Sequence, residues 1–488
     1  MPSFSIISEF EKNVSLNAGK AAVVDGNGTV SYLALYNKYL EYKALISRFK
    51  IPHRQMRIAI HMTQGVDAYA CMLACLSEGA VYAPIDLHVP AERLSKIIHA
   101  FLPDLLISQS SKLKFENIHT FSLNNEIQIC DFEFTLTKEL LDFERNKQAY
   151  VIFTSGSTGA PKGVVVGLKG LNKYIQWARS FLNIGQDSRC SQIPNIGFDL
   201  SVIDIFSCLC SGATLYPCVS ERDRAFPNRF IRDNELTHVI ATPSFTDILM
   251  NAKRNCLEDL RSLQRIFFCG EPLKAGHVKF LFENASSVVV TNAYGPTEAT
   301  VSCTALNLRQ ENFRKYLNKN LISIGKPIEG IKFEVEFVDN ENHLGELIIV
   351  GEQVALGYIS TSPENKQKFF LNSDRERCYR TGDIVEEFNG EYFFIRRVDR
   401  QIKLNGFRIE LEEIEKVIES ILHNVSVKVL LVENKLIAYI NSRHEIENIT
   451  DLIRQKLPSY MLPHQYIYLE HWPTNANGKL DVKKLQEF

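Results

Sequence analysis

The sequence predicts an α/β protein with a large N-terminal domain of parallel α/β subdomains, a small antiparallel region, and a small α+β C-terminal domain. Three observations predict it. Short β-like runs alternate with helical patterns in the first half, an order that favours parallel strands joined by helices. Residues 331–358 change character: IKFEVEFVDN and GELIIVG look like antiparallel strands with polar turns between them. The last ninety or so residues run helix, strand, strand, helix, strand. The boundary falls in Arg396–Gln401 (RRVDRQ), a charged run without a strong period, giving 1–398 and 399–488. A chain of 488 residues suits this division, since about 150 residues per domain allows three units or one large and one small.

Taken in order, Arg57–Met62 (RIAIHM) reads as a strand, Val66–Leu76 as a helix and Val81–Ile85 as a strand. Ala91–Ala100 then reads as a helix, with strands at Asp104–Ser108 and Tyr150–Phe153. In the C-terminal part, Glu410–Leu422 places Leu411, Ile414, Val417, Ile418 and Ile421 on one helical face, with Glu412 and Lys416 at i,i+4 on the wet face. Val427–Val432 and Leu436–Ile440 read as strands, followed by a helix near Thr450–Lys456 and a strand at Tyr466–Leu469. No period of 20–50 residues recurs, which argues against a solenoid or propeller.

Lys+Arg 55 against Asp+Glu 57 leaves a formal charge of −2, so no global footprint for nucleic acid exists. Hydrophobic content of 45% with 23% charged residues is globular composition and excludes a disordered or fibrous chain. No run approaches 18 apolar residues, so membrane insertion is not expected. The start, MPSFSIISEFEKN, lacks a basic segment and an apolar core, which argues against secretion. Eleven scattered cysteines without a CxxC read as reduced thiols. The expectation is a cytoplasmic monomer.

Tyr150–Gly163, YVIFTSGSTGAPKG, is the most informative segment. A β-like run ends in six residues made only of Thr, Ser and Gly, from Thr154 to Gly159, with Lys162 close behind. Small residues let backbone N–H groups approach an anion, and the hydroxyls of Thr154, Ser155, Ser157 and Thr158 add donors. The Walker spacing is absent, as is the G-x-S-x-G of a serine-hydrolase elbow. A flexible surface loop is the bland alternative.

This segment resembles the phosphate loop of the adenylate-forming (ANL) superfamily, which includes acyl-CoA synthetases, luciferases and nonribosomal peptide synthetase adenylation domains. Seven further segments match that family in order, within about residues 29–481: GAVYAPID at Gly79–Asp86, NAYGPTE at Asn292–Glu298, GELIIVGEQVALGY at Gly345–Tyr358, YRTGD at Tyr379–Asp383, DRQIKLNGFRIE at Asp399–Glu410, LPSYMLP at Leu457–Pro463 and NGKLD at Asn477–Asp481. One motif could arise by chance; eight in the right order could not.

The resemblance implies activation of a carboxylic acid with ATP and Mg2+, release of pyrophosphate, and transfer of the acyl group to a thiol. A carboxylate meeting an α-phosphate is an encounter of two anions, so positioning and charge neutralisation carry most of the catalysis. Lys479 takes that catalytic role by resemblance; alone, N-G-K would be a solvated turn lysine. The ATP site is expected from Thr154, Ser155, Gly156, Ser157, Thr158, Gly159, Lys162, Gly270, Glu271, Asn292, Ala293, Tyr294, Gly295, Thr297, Asp383, Arg397 and Lys479. Within it, Tyr294 offers an aromatic face to adenine, Thr297 a hydroxyl to the α-phosphate, Asp383 an acceptor for both ribose hydroxyls, and Glu298 a magnesium ligand. Asp399 matches the hinge on which the small domain rotates, exchanging the Lys479 loop for the Lys403–Gly406 loop (KLNG). Two departures stand out. Arg396-Arg397 replaces the usual Gly-Arg, and Leu168 stands where many relatives carry histidine.

Gly197–Val202 (GFDLSV) narrows the acid by the same resemblance. The aspartate of F-D-x-S, here Asp199, pairs with the α-ammonium in amino-acid-activating members; an Asx turn or helix cap is the alternative. The remaining pocket positions are Leu200, Ile203, Ser244, Phe267, Cys269, Ala293, Val301 and Ser302, a small and mostly apolar set. SVID, TPSF, FFCGEPL, YGPTEATV and ELEEIE resemble the D-alanine–carrier-protein ligases, which points to D-alanine. L-Alanine, glycine, serine or proline remain alternatives, with an acyl- or aryl-CoA ligase and a catalytically silent carrier-binding homologue beyond them. The sequence ends nine residues after Lys479, so the expected acceptor is the phosphopantetheine of a discrete carrier protein, or a small thiol.

Overall fold

The computed structural model describes residues 4–110, 113, 115, 118–122, 126–128, 148–156, 160–251, 256–285, 287–339, 343–359, 363–423, 425–475 and 479–488. They form two compact units. The first is Met1–Leu87, Ala100–Phe153 and Gly163–Val398; the second is His88–His99, Thr154–Lys162 and Asp399–Phe488.

In the first unit, strand–helix alternation yields two mostly parallel sheets. One contains, among the described residues, eight strands, with Arg57–Met62 paired in parallel to Val81–Asp86 and to Leu105–Ser108. Val81–Asp86 pairs in parallel with Gln148–Thr154, the strand that leads into the Thr/Ser/Gly loop. The helix Val66–Ser77 explains its own position: it is apolar nearly all round, and Ala68 to Leu76 are all buried. Each large apolar side chain removed from water there contributes about 1.5–3 kcal/mol.

A second sheet of nine described strands has Arg189–Gln192, His238–Ala241, Arg265–Phe268 and Val289–Asn292 as parallel neighbours. Their buried runs, such as RIFF and VVTN, lack the alternation of half-wet strands because helices cover parallel sheets on both faces. The antiparallel region forms as expected: Ile331–Asp339 pairs with Leu344–Gly351, which pairs with Arg377–Phe388. Glu391–Arg397 extends that sheet, so Arg396 and Arg397 lie in a strand rather than in an irregular linker. Leu168, in place of the histidine of many relatives, opens the helix Leu168–Phe181 and packs on the main core.

The second unit carries the helix Leu411–Leu422, the antiparallel pair Val427–Val432 and Lys435–Asn441, the helix Ile449–Arg454 and the strand Gln465–Leu469. A hairpin Gln401–Leu404/Phe407–Glu410 precedes them. Its two turn residues, Asn405 and Gly406, both have positive φ (51° and 82°), as a two-residue type I′ turn requires. Leu411, Ile414, Val417 and Ile418 are buried in this unit's core and Ile421 packs on it. Glu413 and Glu415 on the same helix are buried too, which the helical pattern alone does not indicate.

Candidate active site

Most of the candidate residues in the first unit share one origin. Asp199, Ser244, Gly270, Glu271, Ala293 and Tyr294 each follow the carboxyl end of one of the four neighbouring parallel strands that end at Gln192, Ala241, Phe268 and Asn292. Open parallel sheets place ligand sites at that edge.

Asp199 sits at the N-terminal end of the helix Leu200–Leu209, and its side chain makes no capping hydrogen bond. The helix-cap alternative therefore has no support. Its negative charge acts on Tyr150 and Tyr174, whose hydroxyls burial pushes well above the ordinary tyrosine range. Leu200, Ile203, Phe267, Cys269, Ala293 and Val301 join one buried cluster, with Tyr174 among them. Tyr174 and Ser302 share a hydrogen bond of 2.8 Å between buried hydroxyls, and Cys269 Sγ lies 3.8 Å from the Val301 carbonyl. Ser244 opens the helix Ser244–Asn251. Its backbone N–H donates to Glu271 Oε2 at 3.0 Å and its hydroxyl meets Thr242 at 2.8 Å. Glu271 thus serves the first turn of the helix Ser244–Asn251.

The NAYGPTE segment is held from behind. Asn292 Nδ2 donates to the Ser323 carbonyl at 2.7 Å, and Ala293 N–H to Phe268 at 2.8 Å. A Cβ on Gly295 would lie 2.4 Å from Ser302 Cα, so only glycine lets the two segments approach. Thr300 and Val301 have φ of 57° and 69°, a conformation unfavourable for β-branched residues. Strain of this kind costs about 1–3 kcal/mol per residue and persists where surrounding contacts impose it. The Thr300 hydroxyl, bonded to the Gln353 carbonyl at 2.6 Å, is one such contact.

Thr297 and Glu298 occupy a buried 3-10 turn, and Tyr358 donates its hydroxyl to Glu298 Oε1 at 2.7 Å. A carboxylate offers about four lone-pair directions, so it can accept a hydrogen bond and ligate a cation together. Among the described residues, no group of three or more His, Cys, Asp or Glu is arranged around a metal position. One carboxylate nevertheless fits magnesium, which is bound through one or two carboxylates plus substrate phosphates. Asp383, buried, accepts from the Tyr294 hydroxyl through Oδ2 and pairs with Arg397 through Oδ1. Asp383 and Arg397 are cross-strand partners, and Arg397 also donates to the Thr381 carbonyl at 3.2 Å. Adenine-side, ribose-side and arginine candidates are thus joined in one hydrogen-bonded row.

In the second unit, Thr154 and Lys162 are half-buried, whereas Ser155 and Gly156 are buried. Ser157, Thr158 and Gly159 lie outside the described residues. Lys479 is exposed, and its N–H donates to Asn475 Oδ1 at 3.1 Å. Asp399 is the first residue of this unit's C-terminal segment, and its Oδ1 accepts from Gln401 N–H at 3.2 Å. Sequence reasoning missed Tyr174. Nothing within LNKYIQWARSF marks it; only its bond to Ser302 does.

Two mostly parallel sheets, an antiparallel sheet and a small α+β unit are the fold of this chain, and its family and relatives make it an AMP-forming ligase. The chain belongs to the AMP-binding enzyme family, whose sequence model matches residues 10–359. It is 35% identical over 439 residues to the D-alanine--D-alanyl carrier protein ligase of Staphylococcus haemolyticus, covering 85% of this chain and 86% of that protein. The Staphylococcus aureus protein of that name is 30% identical over 500 residues, covering 99% of both. Among solved structures, the Vibrio cholerae adenylation domain AlmE, in complex with glycyl-adenosine-5'-phosphate, superposes with a TM-score of 0.83 at 25% identity. That match covers 100% of this chain and 98% of the other. No helix among the described residues is long and apolar enough to cross a membrane.

Proposed function

We propose that the protein activates D-alanine with ATP as aminoacyl-AMP and transfers it to the phosphopantetheine thiol of a separate carrier protein in the cytoplasm. The observation that carries this is Asp199: a carboxylate not used as a helix cap, beside a buried cluster that includes Leu200, Phe267, Cys269 and Val301. An α-ammonium carried by a small apolar side chain suits a carboxylate placed beside such a cluster. The relatives named D-alanine--D-alanyl carrier protein ligase support both substrate and acceptor. Cys71, Cys190 and Cys208 are reduced thiols, which fits a reducing compartment.

In the first half-reaction a carboxylate oxygen of D-alanine bonds to the α-phosphorus, and the bond to the β-phosphate oxygen breaks, releasing pyrophosphate. Asp199 holds the ammonium, Tyr294 and Asp383 hold adenine and ribose, and Lys479 neutralises the charge between the two anions. Glu298 would hold magnesium, which neutralises the triphosphate when bound. In the second half-reaction the thiolate sulfur bonds to the acyl carbon and AMP leaves. Asp399 is the proposed hinge between residues 1–398 and 399–488.

ATP–pyrophosphate exchange against both alanines, glycine, serine, threonine, proline, phenylalanine, a fatty acid and an aryl acid tests the substrate. D-Alanine is expected to dominate. Glycine is the second reading, favoured by the glycyl adenylate in AlmE. Exchange only with acids lacking an amine would remove the role of Asp199. Asp199→Ala is expected to raise the KM for D-alanine by about 10- to 100-fold, the loss of one charge-assisted hydrogen bond, and to leave the KM for ATP nearly unchanged. Equal effects on both would mark a structural aspartate.

A further inference from the structure

The segments His88–His99 and Thr154–Lys162 belong to the same compact unit as residues 399–488. Inside that unit, Arg93 Nη1 lies 2.5 Å from Glu413 Oε1, with side chains 6% and 2% exposed. The other oxygen of the same carboxylate, Oε2, accepts from the backbone N–H of Gly156 at 3.3 Å. Next to it, Ser155 Oγ donates to the Arg408 carbonyl at 2.8 Å. Gly156 is folded closely on its own loop: a Cβ there would stand 2.1 Å from the Ala160 carbonyl oxygen. Two donors of the anion-binding loop are therefore engaged by acceptors of the chain itself, and one of these acceptors is a carboxylate.

A loop amide and a guanidinium converging on one anion are the donor set that recognises phosphate. The geometry points to Glu413 as an internal anion that holds the place of a phosphate oxygen on the Gly156 amide, with Arg93 as its counter-ion. The inference rests on the adenylating function proposed above and adds two positioning residues to it. Glu413 holds the Gly156 amide when no triphosphate is bound and must yield when one arrives. Triphosphate and pyrophosphate then bind with an affinity reduced by the fraction of molecules in which Glu413 occupies the loop. Once pyrophosphate has left, the carboxylate replaces it and opposes its return, which favours the thioester step.

The test is calorimetric titration of inorganic pyrophosphate, and of ATP, into the full chain and its variants. Glu413→Gln keeps the side-chain shape and removes the charge; tighter binding of both anions, by about tenfold if Glu413 holds the loop in nine molecules of ten, is expected. Because Glu413→Gln alone leaves Arg93 buried without a counter-ion, the double variant Arg93→Met/Glu413→Leu is measured as well, and it too should tighten pyrophosphate relative to wild type. A residue with a merely structural role would loosen binding when removed, so a gain of affinity is diagnostic. Unchanged or weaker pyrophosphate binding in both folded variants would overturn the proposal. Tighter pyrophosphate binding in a protein that shows no D-alanine-dependent exchange would support the role of Glu413 and remove only the substrate.

Discussion

Replacing Lys479 by alanine is expected to lower ATP–pyrophosphate exchange by about 100- to 1,000-fold, the usual loss when one preorganised charge stabiliser of a transition state is removed. Thioester formation from presynthesised aminoacyl-adenylate should be largely preserved, because by then the encounter of two anions is over. The side chain is exposed, and only the backbone N–H and carbonyl of Lys479 bond to Asn475, through its Oδ1 and its N–H, so Tm should not move. Loss of exchange therefore reports chemistry and not folding. Normal pyrophosphate exchange in the variant would sink the assignment, and equal loss of both half-reactions would show that Lys479 acts on binding common to them.

The second large effect is expected at Asp383. Its side chain is 2% exposed and that of its partner Arg397 is 8% exposed, so Asp383→Ala leaves a guanidinium buried without its counter-ion. Breaking a buried pair from one side costs about 3–5 kcal/mol. It also deprives the Tyr294 hydroxyl of its acceptor. A marked fall in Tm and a rise in the KM for ATP should appear together. The double variant Asp383→Ala/Arg397→Met should recover much of the Tm, because no lone charge is left inside, but not the affinity for ATP. A variant Asp383→Ala as stable as wild type would contradict the burial of this pair, and an unchanged KM for ATP would remove Asp383 from the ribose position.

Different parts of the candidate site were legible to different degrees. The loop at Thr154 was visible because composition carries its chemistry: a run of small hydroxylated residues after a strand has few other uses. Asp199 was visible only through its motif, since an aspartate at the start of a helix is ordinarily a cap. Arg396-Arg397 read as a linker because alternation in a strand is recognised by apolar residues, and two adjacent arginines hide it. In the structure Arg396 is exposed while Arg397 turns to Asp383 across the strand pair.

By itself the sequence determined the alternation of strands and helices, the antiparallel region, the apolar face of Leu411–Leu422 and the family. These depend on local period and on short motifs, where a residue's neighbours in the chain are also its neighbours in space. Tertiary structure alone decided which charges are buried. The helical period assigns no partner to Glu413 or Glu415, yet one meets Arg93 and Gly156, and the other meets Arg400 through both oxygens at 2.9 and 3.0 Å. Tyr174 likewise joins Ser302 from 128 positions away. A buried polar group is stable only against its particular partner, and that partner is supplied by the fold at a distance along the chain that no local pattern records.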